Sequence, residues 1–192
     1  MPESIEVRWH GRGGQGAKTG AILLAEAASA AGKFVQAFPE YGPERMGAPM
    51  RAFNRISDEP ITIHSGVKQP DVVVVLDETL LGKVPVTEGL TDGGKVIVNT
   101  PEPPEVLRDR LGLRSGQVFT VDASGIAEET FGRNIPNTPM VAALVRVTGV
   151  VDYEKFLEIM REQLESKFKG RSSIIEGNLR AIERGYREVR GE

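Results

Sequence analysis

Cysteine is absent from this sequence of 192 residues, and histidine occurs only twice, as His10 and His64. Without a thiol the chain forms no disulfide and offers no thiolate nucleophile, zinc–cysteine site or iron–sulfur cluster of its own. Two histidines are too few for a metal centre built from this chain alone. We therefore predict no metal site here, and any redox centre that serves this protein lies on another chain.

Long apolar runs and an excess of basic charge are also missing. No run approaches the roughly 18 residues that a membrane helix needs, and the first residues lack the pattern of a signal peptide. The net charge of −3, with interspersed signs, provides no basic surface for nucleic acid. These absences predict a cytoplasmic protein with no membrane and no nucleic acid among its partners. The remaining composition, 40% hydrophobic and 27% charged, is typical of a globular domain.

A glycine-rich segment, GRGGQG, occupies residues 11–16. The alternation of apolar and charged residues over 5–10 predicts a strand before it. The apolar, proline-free stretch 17–31 predicts a helix after it, ended by Gly32. A glycine loop in this position lets the backbone approach a phosphate, which the N–H groups at the helix start can bind. The alternative is that the glycines only permit a tight turn.

The G-x-G-x-x-G spacing of this loop also occurs in dinucleotide-binding domains, but the next segment argues against that class. A second strand is predicted over 33–38, and a Rossmann unit then requires a crossover helix. The segment 39–49, PEYGPERMGAP, has three prolines and two glycines in eleven residues, which excludes a helix. The strand predicted over 50–56 therefore follows through a loop, and we expect it to pair antiparallel with 33–38.

This loop combines charged, aromatic and conformationally restricted residues. Loops of that kind commonly meet ligands or partner proteins. The residues predicted to do so are Glu40, Tyr41, Gly42, Pro43, Glu44, Arg45 and Gly47. An ordinary solvated surface loop is the alternative.

GRGGQG at 11–16, followed by EYGPERMGAPMRAFNRISDEPI at 40–61, resembles the gamma subunit of the 2-oxoacid:ferredoxin oxidoreductases. The similarity is greatest to the pyruvate:ferredoxin type, also called pyruvate synthase, and runs through nearly the whole chain. The two segments occur in the family's order and spacing. Either motif alone is weakly specific, whereas the pair is strongly specific.

The rest of the chain continues the pattern of an α/β domain. Apolar runs at 71–77, 95–99 and 117–122 indicate buried strands of a parallel sheet. The segments 123–131 and 137–147 indicate helices. We predict a single domain over residues 1–192, with three layers and a mixed, mainly parallel sheet flanked by helices.

Polar residues close the three apolar strands, namely Asp77, Asn99 and Asp122. Open α/β sheets place their binding sites beyond the carboxyl ends of the strands, so these residues are candidates for a site. Capping of the following helix is the alternative role.

The C-terminal segment, about 152–190, has a polar, helical pattern. Its second half carries a narrow apolar stripe at steps of four and three, formed by Ile175, Leu179, Ile182, Tyr186 and Val189. The stripe either packs on the chain's own domain or forms a seam for a partner subunit.

The resemblance implies a role in the oxidative decarboxylation of pyruvate to acetyl-CoA and CO2, with coenzyme A as acyl acceptor and ferredoxin as electron acceptor. Family enzymes use thiamine pyrophosphate with Mg and [4Fe–4S] clusters, but this chain has no Gly-Asp-Gly segment and no cysteine. The resemblance therefore implies alpha, beta and delta subunits that hold these groups. Ferredoxin is the expected partner of the whole complex, and the isolated chain has no catalytic residue and no expected activity.

Coenzyme A is the phosphate-bearing compound of the family that we assign to the glycine loop, because other subunits are expected to hold thiamine pyrophosphate. The predicted contacts are Gly11, Arg12, Gly13, Gly14, Gln15, Gly16 and Lys18, with Arg12 and Lys18 as charge partners. Two alternatives stay open: a structural subunit whose loops only form an interface, and a free-standing nucleotide-binding protein. Related enzymes for 2-oxoglutarate or branched-chain 2-oxoacids are the alternatives to pyruvate.

Overall fold

The computed structural model describes residues 4–40, 47–63 and 65–192. Within these ranges the chain forms one seven-stranded sheet and six α-helices. The strands are β1 (Ser4–Arg12), β2 (Phe34–Pro39), β3 (Pro49–Ser57), β4 (Val72–Val75), β5 (Lys95–Asn99), β6 (Gln117–Val121) and β7 (Arg190–Gly191). The helices are α1 (Ala17–Ala30), α2 (Pro104–Leu111), α3 (Ala123–Phe131), α4 (Asn137–Thr148), α5 (Tyr153–Lys167) and α6 (Ser172–Glu188). None of these helices combines the length and the apolar composition needed to span a bilayer.

The strands are arranged in the order β2-β3-β1-β4-β5-β6-β7. Neighbouring strands from β1 through β4 and β5 to β6 are parallel, whereas β3 is antiparallel to both β1 and β2, and β7 to β6. All strands except β3 and β7 therefore run in one direction, which confirms the mixed, mainly parallel sheet. The antiparallel pairing of β2 with β3 is also as predicted, because the proline-rich segment between them leaves no room for a crossover helix.

Two hydrophobic cores lie on opposite faces of the sheet. In β4, Val72 and Val74 belong to one core and Val73 and Val75 to the other, because successive side chains of a strand point to opposite faces. The first core is covered by α1 and by α3 to α6, and the second by α2 and residues 80–90. The chain therefore has the three predicted layers, with β4 buried on both faces.

The apolar stripe of α6 packs on the chain's own domain. Leu179 and Ile182 are buried in the first core. Gly185 lies so close to α4 that a Cβ atom there would clash with the carbonyl oxygen of Pro139. Of the two roles predicted for the stripe, the structure supports packing within the domain.

Candidate functional site

The loop 11–16 connects the end of β1 to the start of α1 at the carboxyl edge of the sheet. Gly14 and Gly16 have φ angles of +96° and +88°, which favour glycine. Gly16 is the N-cap residue of α1 and supplies no side-chain hydrogen bond to the helix. The first N–H groups of a helix have no acceptor within the helix, so this end of α1 presents donors to a ligand.

Three amides of the loop are used to hold its own shape. The amide of Arg12 donates to Gln15 Oε1 at 2.7 Å, and that of Gln15 donates to the carbonyl oxygen of Arg12 at 3.0 Å. The amide of Gly13 donates to the carbonyl oxygen of Ala48 at 3.0 Å. The amides of Gly14 and Gly16 make no hydrogen bond to another described residue. They are the loop donors that an anion would meet.

The loop also meets the second sequence motif. Besides the bond from Gly13 to Ala48, the amide of Gly47 donates to the carbonyl oxygen of Gly13 at 3.2 Å. Arg12 Nη1 donates to the carbonyl oxygen of Gly47 at 3.1 Å. The two segments that carry the family resemblance are therefore joined directly, through contacts such as that of Arg12 with Gly47, 35 positions later in the sequence.

Arg12 was predicted as a charge partner for a phosphate, but its guanidinium is engaged within the chain. Its Nε donates to Asp77 Oδ2 at 3.0 Å and its Nη2 to Thr79 Oγ1 at 2.9 Å. Together with the contact to Gly47, these bonds connect the glycine loop to the loop that contains Gly47 and to the turn that contains Asp77 and Thr79. Arg12 therefore has a positioning role in the structure.

Asp77, at the end of β4, is the second centre of this network. Its carboxylate accepts hydrogen bonds from Arg12 Nε, from Gln15 Nε2 at 2.7 Å and from the amide of Thr79 at 2.9 Å. Partial burial on its own raises the pKa of the Asp77 carboxyl, but bonds from Thr79 and Gln15 and the charge of Arg12 lower that pKa below its ordinary value. The carboxylate is thus held ionised and fixes two side chains of the glycine loop.

Gly16 brings the start of α4 against the start of α1. A Cβ atom at Gly16 would lie 2.9 Å from Nδ2 of the buried Asn137, the first residue of α4. α4 has no side-chain cap bond, and neither helix has an acidic residue in its first turn. Since helix N-termini carry partial positive charge, two such ends that meet with no acidic residue in either first turn favour an anion.

Lys18 lies exposed in the first turn of α1. A cation at a helix N-terminus interacts unfavourably with the helix dipole, and a bound anion would reverse that effect. Gly11 has a different role, because a Cβ atom there would lie 3.2 Å from Leu76 Cδ1 and 3.3 Å from Ala17 Cβ. Gly11 therefore allows β1, β4 and α1 to pack closely.

Of the residues predicted in the second loop, Glu40 and Gly47 belong to the described part of the chain. Glu40 forms an ion pair with Arg51 on β3, in which Arg51 Nη2 donates to Glu40 Oε1 at 2.7 Å. The other predicted residues, Tyr41, Gly42, Pro43, Glu44 and Arg45, lie outside the described residues.

The other two strand-end residues have structural roles. Asp122 caps α3 by accepting from the amide of Gly125 at 2.9 Å. Asn99 donates to the carbonyl oxygen of Leu76 at 2.9 Å and accepts from the amide of Ser124 at 3.0 Å. Capping thus explains these residues, whereas Asp77 both caps the next turn and holds the glycine loop.

Comparison with known proteins identifies the family of this chain. The sequence model of the pyruvate ferredoxin/flavodoxin oxidoreductases matches residues 6–188. This chain belongs to that family. The finding confirms the resemblance carried by the two motifs and assigns the chain to a group of oxidoreductases.

Individual members of the family are similar to this chain over nearly its full length. Pyruvate synthase subunit PorC of Thermotoga maritima is 53% identical over 186 residues, which are 97% of this chain and 95% of the relative. The pyruvate/ketoisovalerate oxidoreductases common subunit gamma of Thermococcus kodakarensis is 48% identical over 185 residues, or 96% and 97% of the two chains. The crystal structure of pyruvate oxidoreductase subunit PORC from Thermotoga maritima matches with a TM-score of 0.87 and 50% identity, covering 99% of each chain. The predicted α/β architecture is confirmed by this match.

The network in this family member includes residues that the sequence did not single out. Thr79 and Asn137 were not predicted, and Asp77 was predicted only as one of three strand ends.

Among the described residues, no group of three or more His, Asp or Glu side chains is placed to hold a metal ion.

Proposed function

We propose that this family member is the gamma subunit of a cytoplasmic pyruvate:ferredoxin oxidoreductase. The complex converts pyruvate and coenzyme A to acetyl-CoA and CO2 and passes the electrons to ferredoxin. The observation that carries this proposal is the 53% identity to a pyruvate synthase subunit across 97% of the chain. A gamma subunit common to pyruvate and ketoisovalerate enzymes is the second candidate, supported by the 48% identity to a protein of that name.

The other components of the reaction are assigned to partner subunits. The chain has no cysteine, and iron–sulfur clusters of the [4Fe–4S] type are held by cysteine thiolates. Alpha, beta and delta subunits therefore carry the clusters and the thiamine pyrophosphate with its Mg, and ferredoxin docks on the assembled complex. In the second candidate function, these subunits also determine whether pyruvate or the branched-chain acid is the substrate.

Within the complex, this chain contributes a phosphate-binding loop for coenzyme A. Its donors are the amides of Gly14 and Gly16 and the first N–H groups of α1, aimed by the left-handed conformation of both glycines. The exposed Lys18 supplies the charge. Arg12 acts through Asp77 and Gly47, which hold the loop in the shape that directs these donors.

Co-expression of the affinity-tagged chain with companion subunits tests this proposal. We expect three further subunits to elute with it, and the eluate to reduce ferredoxin with pyruvate only when coenzyme A is present. The isolated chain should be colourless, because it has no thiolate for a cluster. A broad absorbance near 400 nm in the isolated chain, ferredoxin reduction by it alone, or elution without partners would each contradict the proposal.

A further inference from the structure

Asn137, the first residue of α4, lies directly against the last residue of the glycine loop. A Cβ atom at Gly16 would be 2.9 Å from Asn137 Nδ2 and 3.2 Å from its Cβ and Cγ atoms. The side chain of Asn137 thus occupies the place that a side chain at position 16 would take. Its terminal nitrogen therefore lies beside the turn that forms the proposed phosphate loop.

The hydrogen bonds of Asn137 leave this nitrogen without a partner in the chain. Oδ1 accepts from the amide of Thr138 at 2.8 Å, which fixes the other terminal atom as Nδ2, a donor. Asn137 is only 7% exposed, and Nδ2 has no acceptor among the described residues. It is nevertheless not one of the fully enclosed side-chain atoms that lack a partner, so a ligand can reach it. A largely buried donor of this kind requires an acceptor from outside the chain.

Other donors without partners lie at the start of α1. The amides of Ala17, Lys18 and Thr19 are the first three of that helix, and they make no hydrogen bond to another described residue. Thr19 and Asn137 line the same open space beside the two helix starts. A ligand in contact with the first turn of α1 is therefore within reach of the side chain of Asn137.

Donors that come from two helix starts match a group whose oxygen atoms are spread over two centres. A diphosphate has its terminal oxygen atoms on two adjoining phosphorus atoms, whereas a phosphomonoester has them on one. Coenzyme A contains both kinds of group, a diphosphate in the middle of the molecule and a 3′-phosphate on the ribose. The two donor sets, one from the loop and α1 and one from α4, correspond to the diphosphate.

We propose that Asn137 binds the diphosphate of coenzyme A. Nδ2 donates to one phosphoryl group, while the amides of Gly14 and Gly16 and those at the start of α1 hold the other. This inference rests on the proposed function of the glycine loop. It adds the start of α4 to the site and specifies which phosphate group of coenzyme A is bound there.

Titration calorimetry of the assembled complex with coenzyme A, without pyruvate, tests the role of Asn137. Asn137→Asp keeps the oxygen that accepts from Thr138 but replaces the Nδ2 donor by a second, negatively charged oxygen. Aspartate caps helices as well as asparagine does, so the variant should assemble normally. We expect it to bind coenzyme A at least tenfold more weakly.

Asn134→Asp is the matched control. Asn134 is exposed just before α4 and does not line the space shared by Thr19 and Asn137, so the same change of charge there should leave binding unchanged. If Asn137→Asp fails to assemble, Asn137→Ser removes the amide donor without adding a charge and should weaken binding about tenfold. Wild-type affinity in the assembled Asn137 variant would overturn the proposal.

Dephospho-coenzyme A shows which phosphate group Asn137 contacts, because this compound lacks the 3′-phosphate and keeps the diphosphate. Asn137→Asp should weaken the binding of coenzyme A and of dephospho-coenzyme A by the same factor. A loss confined to coenzyme A would place the 3′-phosphate at Asn137 and overturn the assignment to the diphosphate.

Gly14→Val distinguishes a failure of this inference from a failure of the proposed function. Weaker binding of coenzyme A by Gly14→Val but not by Asn137→Asp would overturn the role of Asn137 alone and leave the loop as a phosphate site. Unchanged binding in both variants would overturn the phosphate-binding role of the loop as well.

Discussion

Arg12 Nε and Asp77 Oδ2 lie 3.0 Å apart and join the glycine loop to the strand end beside it. The pair is mostly shielded, with side-chain exposures of 26% for Arg12 and 13% for Asp77. Because β1 and β4 are parallel neighbours, their carboxyl ends bring residues distant in sequence to the same edge of the sheet. The shape of the glycine loop therefore depends on a carboxylate outside it.

Asp77→Asn should weaken coenzyme A binding without unfolding the domain. The change removes the negative charge that pairs with Arg12, and hydrogen bonds to charged groups contribute roughly 1.5–3 kcal/mol. In the assembled complex we expect the apparent KM for coenzyme A to rise about tenfold, equivalent to about 1.4 kcal/mol, with the KM for pyruvate unchanged.

Asp122→Asn provides the matched control for this change. Asp122 is also a strand-end carboxylate, but it caps α3 through the amide of Gly125, and asparagine caps helices equally well. Both KM values should therefore stay at the wild-type level. An Asp77→Asn complex with unaltered coenzyme A kinetics would remove Asp77 from the positioning network.

The stability of the chain should fall as the pH is lowered through the range where a free histidine titrates. His10 is 2% exposed and its Nε2 accepts a hydrogen bond from Arg8 Nε at 3.0 Å. Burial, followed by the charges of Arg8 and Arg51, lowers the pKa of His10 to about 3. Between the ordinary pKa of about 6.5 and this value, the unfolded chain binds a proton that the folded chain does not. Lower pH therefore favours unfolding in that window.

Urea unfolding at pH 7.5 and pH 5.0 measures this effect. Relative to His10→Gln, the wild type should lose about 2 kcal/mol of unfolding free energy between the two pH values. His64 is common to both proteins, so the difference isolates His10. Identical pH dependence in the wild type and the variant would contradict the neutral, buried state of His10.

Much of the fold could be predicted because its signals are local. The valine run of β4 indicates a strand buried on both faces, and the prolines of 39–49 exclude a crossover helix. Helix α2 was missed, although Pro104 lies in its first turn and Gly112 ends it in the left-handed conformation. Its apolar pattern is weak, because only Pro104 and Leu107 are buried. β7 is two residues long and has no pattern of its own.

The site was predicted less completely than the fold. The strand–glycine–helix order located the loop, but the partner of Arg12 is 65 positions away in sequence. A long-range pair of this kind leaves no local pattern, so the sequence did not predict the contact between Arg12 and Asp77. Asn137 was missed for the same reason, because its contact with Gly16 depends on how α4 packs beside α1.

Gly185→Ala should destabilise the chain, although alanine is the better helix former. In an exposed helix, exchange of glycine for alanine stabilises by about 1 kcal/mol. Here the added Cβ atom would clash with the carbonyl oxygen of Pro139, and overpacking typically costs about 1–3 kcal/mol. We expect a lower midpoint in thermal unfolding of the isolated chain. A higher midpoint would indicate that α6 does not pack on α4 in this way.

Gly14→Val tests the phosphate loop directly, and Gly32→Val is its matched control. Both glycines have similar φ angles, +96° and +89°, and at both positions a Cβ atom would meet no neighbour within 4 Å. The conformational strain of a β-branched residue, of the order of 1–3 kcal/mol, is therefore similar in the two variants. Only Gly14 lies in the glycine loop.

In the reconstituted complex, Gly14→Val should raise the apparent KM for coenzyme A, because the new side chain blocks the approach of the phosphate to the backbone. The KM for pyruvate should change little, and Gly32→Val should leave both KM values unchanged. The interface alternative predicts a different result, in which Gly14→Val fails to assemble on a sizing column while Gly32→Val assembles. An assembled Gly14→Val complex with normal coenzyme A kinetics would show that the loop does not bind the phosphate.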